Sequence, residues 1–176
     1  MWKEAFACAL LAGTTVSASA DDTLATFKGG IGVIPVSSGQ GTAATATVVN
    51  RNIVRGVQPA GQIWAIDKLE ARIRANGHIR VDGKGLILAG GNSAGRATGQ
   101  SVFATLICEA AEPFNEFSST LTGVPLAANG DFRIDDVLTS AAKAALPFQC
   151  ASPMLLIRTA GSGNWFAVGI PGSGND

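Results

Sequence analysis

Polar and apolar positions alternate without a slip along residues 68–75. Lys68, Glu70, Arg72 and Arg74 fall on one side, and Leu69, Ala71, Ile73 and Ala75 on the other. A period of two with charge on one side predicts a strand with one wet face and one buried face. Residues 78–85 repeat the pattern, with His78, Arg80, Asp82 and Lys84 opposed to Ile79, Val81, Gly83 and Gly85. Between the two runs stands Asn76-Gly77, a strong hairpin signal. The faces choose the turn. A two-residue loop would set Ile73 against Arg80, apolar beside charged. A three-residue loop, Ala75-Asn76-Gly77, sets Ile73 against Ile79 and Ala71 against Val81, and gives Gly77 the left-handed position. Its cost is that Arg72 then faces Arg80 and Glu70 faces Asp82. Burial outweighs exposed charge pairing, so the three-residue loop is preferred.

The same device recurs. Ala75-Asn76-Gly77-His78-Ile79-Arg80-Val81 is echoed by Ala128-Asn129-Gly130-Asp131-Phe132-Arg133-Ile134. Equal logic there matches Leu126 with Phe132 and Val124 with Ile134. Two hairpins built alike suggest two similar sheets packed face to face. Further strands are predicted at Phe27–Val36, Thr45–Val49, Ile53–Val57, Ser101–Cys108 and Phe117–Leu121. The pair Met154–Thr159 and Asn164–Ile170 is joined by Gly161-Ser162-Gly163. Only Ser140–Leu146 reads as helical, an Ala-rich turn or two halted by Pro147. Residues 90–99 form a Gly-rich flexible loop, and 172–176 a flexible tail. The expected class is all-β: an antiparallel β-sandwich, or partly open barrel, of about 8–10 strands with at most one short helix.

The first twenty residues break this pattern. Met1-Trp2-Lys3-Glu4 opens with a positive charge, and Ala5–Gly13 is almost wholly apolar. Small and hydroxyl residues follow, ending in Ala18-Ser19-Ala20 before Asp21-Asp22. That is the layout of a cleaved secretory signal. The apolar run is too short to span a bilayer, which takes roughly 20 residues. Residues 1–20 are therefore expected to be removed after Ala20, leaving one β domain over 21–171 in the periplasm or the medium.

Export changes how the cysteines are read. Of three, Cys8 lies in the signal, ahead of most of its apolar run, where acylation after cleavage is a poor fit. Cys108 and Cys150 remain, and in an oxidising compartment a disulfide is the expected pairing. Closing that loop stabilises the fold by roughly 4 kcal/mol in the chain-entropy model. The alternative, a reactive free thiol, needs a partner histidine and a reducing compartment. No Asn-x-Ser/Thr acceptor occurs anywhere, which with the short signal favours a bacterial source.

Charge excludes some partners. The chain is neutral overall, and the signal takes one charge of each sign with it. Neutrality argues against nucleic acid, which wants a basic stripe, and against a polybasic membrane anchor. No second apolar run is long enough to span a membrane; Leu86–Ala89 and Met154–Ile157 are strand-sized. The one cationic concentration is Lys68, Arg72, Arg74, Arg80 and Lys84, interrupted by Glu70 and Asp82. It is a solvated outer face, or a docking face for a protein or an anionic polymer.

Candidate chemistry is sparse. His78 is the only histidine, beside a tight turn on the solvent face, so a Ser-His-Asp site there is disfavoured. Zinc lacks ligands once the cysteines are paired. Gly90-Gly91-Asn92-Ser93-Ala94-Gly95 has phosphate-loop spacing, but Arg96-Ala97 replaces the Lys-Ser/Thr and a strand follows where a helix is required. Asp131, Asp135 and Asp136 cluster near a strand without the ligand loop calcium needs. Glu109, Glu112 and Glu116 surround a turn and invite a paired-carboxylate reading, with no sign of burial to raise a pKa. Trp64 and Trp165 are the remaining tryptophans; core packing explains both, with sugar stacking as the alternative. Tyrosine is absent, which removes the tyrosine corner of immunoglobulin-like domains. No cofactor is expected.

Gly56-Val57-Gln58-Pro59-Ala60-Gly61, Gly85–Asn92, Phe103–Cys108 and Ala128–Asp136 together resemble a group of small secreted bacterial proteins of unassigned function. That likeness spans most of residues 21–176. Separately, Phe27–Val36 with Gly41-Thr42-Ala43 is similar to the opening of CHRD domains, which are extracellular β modules. The later His-x-His element of that family is replaced by Gly77-His78-Ile79-Arg80. Three roles stay open: a non-catalytic binding or structural module of the envelope or medium, a small secreted hydrolase, or a subunit that pairs strands in a larger assembly.

Overall fold

The computed structural model describes residues 23–42 and 45–172. The predicted signal, its cleavage point after Ala20 and residues 173–176 lie outside them. Among the described residues there are fourteen strands and no helix. They are β1 (Thr23–Gly32), β2 (Val36–Thr42), β3 (Thr45–Arg51), β4 (Trp64–Ala65), β5 (Lys68–Arg74), β6 (His78–Lys84) and β7 (Ile87–Leu88). The second half adds β8 (Ser101–Ile107), β9 (Phe117–Ser118), β10 (Val124–Pro125), β11 (Phe132–Val137), β12 (Thr139–Ser140), β13 (Met154–Thr159) and β14 (Trp165–Pro171). Ten of them form one antiparallel sheet in the order β11-β6-β5-β1-β14-β13-β8-β9-β12, with β10 also on β8. The all-β, antiparallel expectation is met, in its barrel form.

What makes it a barrel is one segment. β11 and β12 stand at opposite ends of that order, yet only Leu138 separates them along the chain. Residues 132–137 pair with β6, and residues 139–140 pair with β9. The sheet therefore curls until a single stretch of chain holds both of its ends. Closure is partial, because β10 pairs with β8 and forms no ladder with β11.

The β5–β6 hairpin has the expected register: Ile73 opposite Ile79, Ala71 opposite Val81, Arg72 opposite Arg80 and Glu70 opposite Asp82. Gly77 sits at φ 86°, and the Asn76 side-chain oxygen accepts from the His78 N–H at 3.0 Å. The echo at 128–130 makes its turn as well, with the Gly130 N–H on the Ala127 carbonyl and the Ala127 N–H on Asp131. Beyond that turn the predicted pairing fails. Phe132 lies opposite Gly83 and Ile134 opposite Val81, because β11 turns away to extend the first hairpin. Gly83 makes room: a Cβ there would stand 2.1 Å from the Phe132 ring.

Three other expectations need correction. Ser140–Leu146 is not helical; it is a turn and an irregular stretch whose Leu146 reaches over Gly77, covering one end of the barrel. Packing the half-buried Leu146 there outweighs the helix propensity of four alanines in so short a stretch. Residues 53–57 form a tight turn closed by reciprocal Val54–Val57 bonds, not a strand. Gly172, assigned to the tail, donates to the Thr26 carbonyl at 2.8 Å.

Core residues line the inside. Leu69, Ile73, Ile79, Val81, Leu106, Leu155 and Ile157 are fully buried. β8 and β13 differ from the hairpin in being buried on both faces, from Val102 to Ile107 and from Leu155 to Ile157. Their outer face is covered by connecting segments held in place by cross-links. Cys108 and Cys150 form the expected disulfide, with a Cα separation of 4.8 Å. Arg55, at φ 45°, donates to the Ile107 carbonyl at 2.9 Å and to the Ser152 carbonyl and hydroxyl at 2.7 and 2.8 Å. Arg158 lies over the Phe103 ring at 5.3 Å and donates to Gly163 and Glu116.

Candidate functional site

The end of the barrel away from Gly77 carries a concavity built around an aromatic pair. β4 continues into β5 and β7 continues from β6, and these two short strands pair as a ribbon folded over the barrel mouth. Gly32 allows it: a Cβ there would lie 2.0 Å from the Trp64 carbonyl oxygen. The Trp64 N–H donates to the Val33 carbonyl, and the Val33 N–H to the Phe166 carbonyl at 2.8 Å. This brings the Trp64 and Phe166 rings into a stack, centroids 4.0 Å apart and planes 14° from parallel.

Three turns surround that stack: residues 60–64, 89–100 and 160–164. Together they enclose a cleft of about 480 Å³. Its apolar floor is Ala60, Trp64, Leu88 and Phe166; its walls carry Gln62, Ser93, Thr98, Gln100, Thr159, Ser162 and Asn164. None of the lining side chains ionises. Thr159, buried, donates its hydroxyl to the Gln100 side-chain oxygen at 3.1 Å. Thr98 holds φ at 53°, unusual for a β-branched residue. The 89–100 loop is the inter-strand connection the sequence predicts, with Gly95 and Arg96 bonded to Leu88 and Ala97 buried beneath it.

The residues singled out by sequence lie elsewhere. Lys68, Arg72, Arg80 and Lys84 share the outer face of the hairpin. Its like charges are neutralised by β11 and by neighbours: Arg80 pairs with Asp135 at 2.9 Å, Arg133 with Asp82 at 3.3 Å, and Lys68 with Glu70 at 2.9 Å. Arg72 donates to the Thr23 hydroxyl at 2.6 Å. His78 contacts Asp135 at 2.9 Å, and among the described residues no hydroxyl or thiol bonds to its ring. The Arg80 guanidinium, with His78 beside it, holds the Asp135 carboxyl below the usual carboxylate range.

The acidic clusters are separate structural devices. Asp131 accepts from the Gly85 N–H at 3.1 Å, and Asp136 from Thr120 and Val137, both at 2.7 Å. Burial pushes the Asp136 carboxyl up, and the N–H groups of Thr120 and Val137 pull it further down, below its ordinary value. Glu109 follows the same balance: burial raises it, and two N–H donors of Asn115 bring it below normal. A glycosidase acid needs the opposite shift. Glu116 is engaged by Arg158, and Glu112 lies with Arg55 in a second, shallower cleft. Among the described residues no group of three potential ligands is placed to hold a metal ion. No described helix is long and apolar enough to cross a membrane. Trp165 is buried with its indole N–H on the Asn52 carbonyl, so it packs in the core.

Sequence reasoning missed Gln62, Gln100 and Asn164. Uncharged amides scattered along a chain form no motif. One signal was available: Gln100 directly precedes β8 and Asn164 directly precedes β14, two strands that run the same way and so begin at the same barrel end. No protein-family model, no curated protein and no solved structure matches the chain.

Proposed function

We propose that this chain is an exported, non-catalytic binding module of the cell envelope or medium, and that the barrel-mouth cleft is its binding site. The observation that carries the reading is the cleft itself: a concavity of about 480 Å³ at the barrel mouth, lined by uncharged donors and acceptors. Nothing facing it can act as nucleophile and base together, whereas amides and hydroxyls are what a recognition site uses. The disulfide suits an oxidising compartment. The hydrolase alternative has no located site: His78, the only histidine of the sequence, pairs with Asp135 on the outer face of the barrel wall.

Two measurements test this. Mass spectrometry of the exported protein is expected to give an N-terminus at Asp21; retention of Met1 overturns the localisation. A melting-temperature screen against soluble saccharides, peptides and organic acids, run beside chromogenic ester and glycoside substrates, is expected to give stabilisation without turnover. Turnover that His78→Ala abolishes would replace the binding module with the hydrolase.

A further inference from the structure

The walls of the cleft specify a class of ligand. Gln62, Ser93, Thr98, Ser162 and Asn164 make no side-chain hydrogen bond among the described residues, although they converge on one concavity. Each carboxamide offers one acceptor and two N–H donors, and each hydroxyl offers both functions. Gln100 differs in being oriented, because the Thr159 hydroxyl occupies its oxygen. A set of this kind, half open to water, suits a partner that donates and accepts at many points.

Three ligand classes can be compared on that basis. A charged ligand would lose its hydration in a cleft that presents no opposite charge, which is strongly unfavourable. A purely apolar ligand would strand the amides without water, at about 1–3 kcal/mol for each buried group left unpaired. An extended peptide binds by adding to a free sheet edge. At this rim the backbones of Leu88 and Thr159 are already bonded, to Arg96 and to Asn164. A neutral sugar meets every requirement. Its hydroxyls donate and accept, and its C–H groups can meet the small exposed margin of Trp64, Phe166 and Leu88, each 5% exposed.

We infer that the barrel-mouth cleft binds an uncharged oligosaccharide, held by Gln62, Gln100 and Asn164 above the Trp64–Phe166 stack. The inference rests on the cleft being the binding site and names what fills it. One contact is oriented in advance: the Gln100 side-chain oxygen is held by the Thr159 hydroxyl at 3.1 Å, which turns the amide N–H groups away from Thr159.

The test is an array of immobilised neutral and acidic oligosaccharides with short peptides on the same surface, probed with the labelled disulfide-bonded protein. Hits are titrated by calorimetry. Neutral glycans are expected to bind, and the double variant Gln62→Ala/Asn164→Ala is expected to bind at least about tenfold more weakly. Ser93→Ala serves as a second, smaller lesion, and Arg133→Ala on the barrel wall as a control that leaves binding intact. Melting temperatures close to wild type show that the variants fold. Binding of peptides or acidic glycans only, weakened by the same variants, overturns the sugar while leaving the cleft as the site. Glycan binding that the cleft variants do not change, or no binding at all, overturns both.

Discussion

The barrel has a wet half and a dry half. In the wet half, β5, β6 and β11 bury one face and send charge outward, with Arg80 on Asp135 and Asp82 on Arg133. In the dry half, β8 and β13 are buried on both faces, and even the outward residues Phe103, Thr105 and Leu156 are covered. The wet half needs only its own alternation to stand in water. The dry half needs a second layer, and that layer is made of irregular chain fixed by the disulfide, by Arg55 and by Arg158. One sheet thus uses two ways of shielding a strand: charge that water tolerates, and loops tied down by cross-links.

The largest effect is expected from removing the cross-link. The Cys108→Ser/Cys150→Ser variant should lose roughly 4 kcal/mol of stability, read from its urea midpoint. A loss under about 1 kcal/mol would mean that the covering layer holds without it. Next comes an outward position in the dry half. Leu156→Ala is expected to cost about 3 kcal/mol, as a core truncation does, although the residue points away from the barrel axis. A near-neutral result would show that its cover is loose.

Acid gives a smaller effect. Glu109 and Asp136 both titrate below their ordinary values of 4.5 and 3.8 in the folded chain. A group depressed on folding stabilises above its unfolded pKa, and that contribution fades as pH falls through the lower, folded value. The melting temperature should therefore begin to fall as the pH drops below 4.5, the ordinary Glu value, and keep falling below 3.8. A rise on acidification would contradict these assignments. The smallest effect is reserved for the wet face. Arg80→Ala should shift melting by no more than about two degrees, because the pair it breaks is exposed. The contrast between Leu156 and Arg80, both outward-facing, is the sharpest test of the two halves.

The two halves were also unequally legible. Alternation in 68–84 determined the hairpin, its loop length and its register, since a slip by one residue would expose Ile73 and Ile79. It left the like charges unexplained, because their partners arrive from β11, fifty residues later. The apolar runs at 101–107 and 154–159 were recognisable as strands, but a continuous run does not say which face is inside or what covers the other. Arg55 is the clearest case: nothing in its local sequence announces a side chain that ties residues 107 and 152 together. The cleft was invisible for a related reason. Its amides come from three distant turns, and only the strand order assembles them.

β1 lies against β14, so the earliest described strand finds its neighbour in the last. A ribosome or a translocation pore delivers the chain from one end, and no early portion can complete the ring by itself. Until the final strand emerges, Ala25, Phe27 and the greasy side of the first hairpin must stand open to whatever they meet. Such a protein has reason to mature late and all at once.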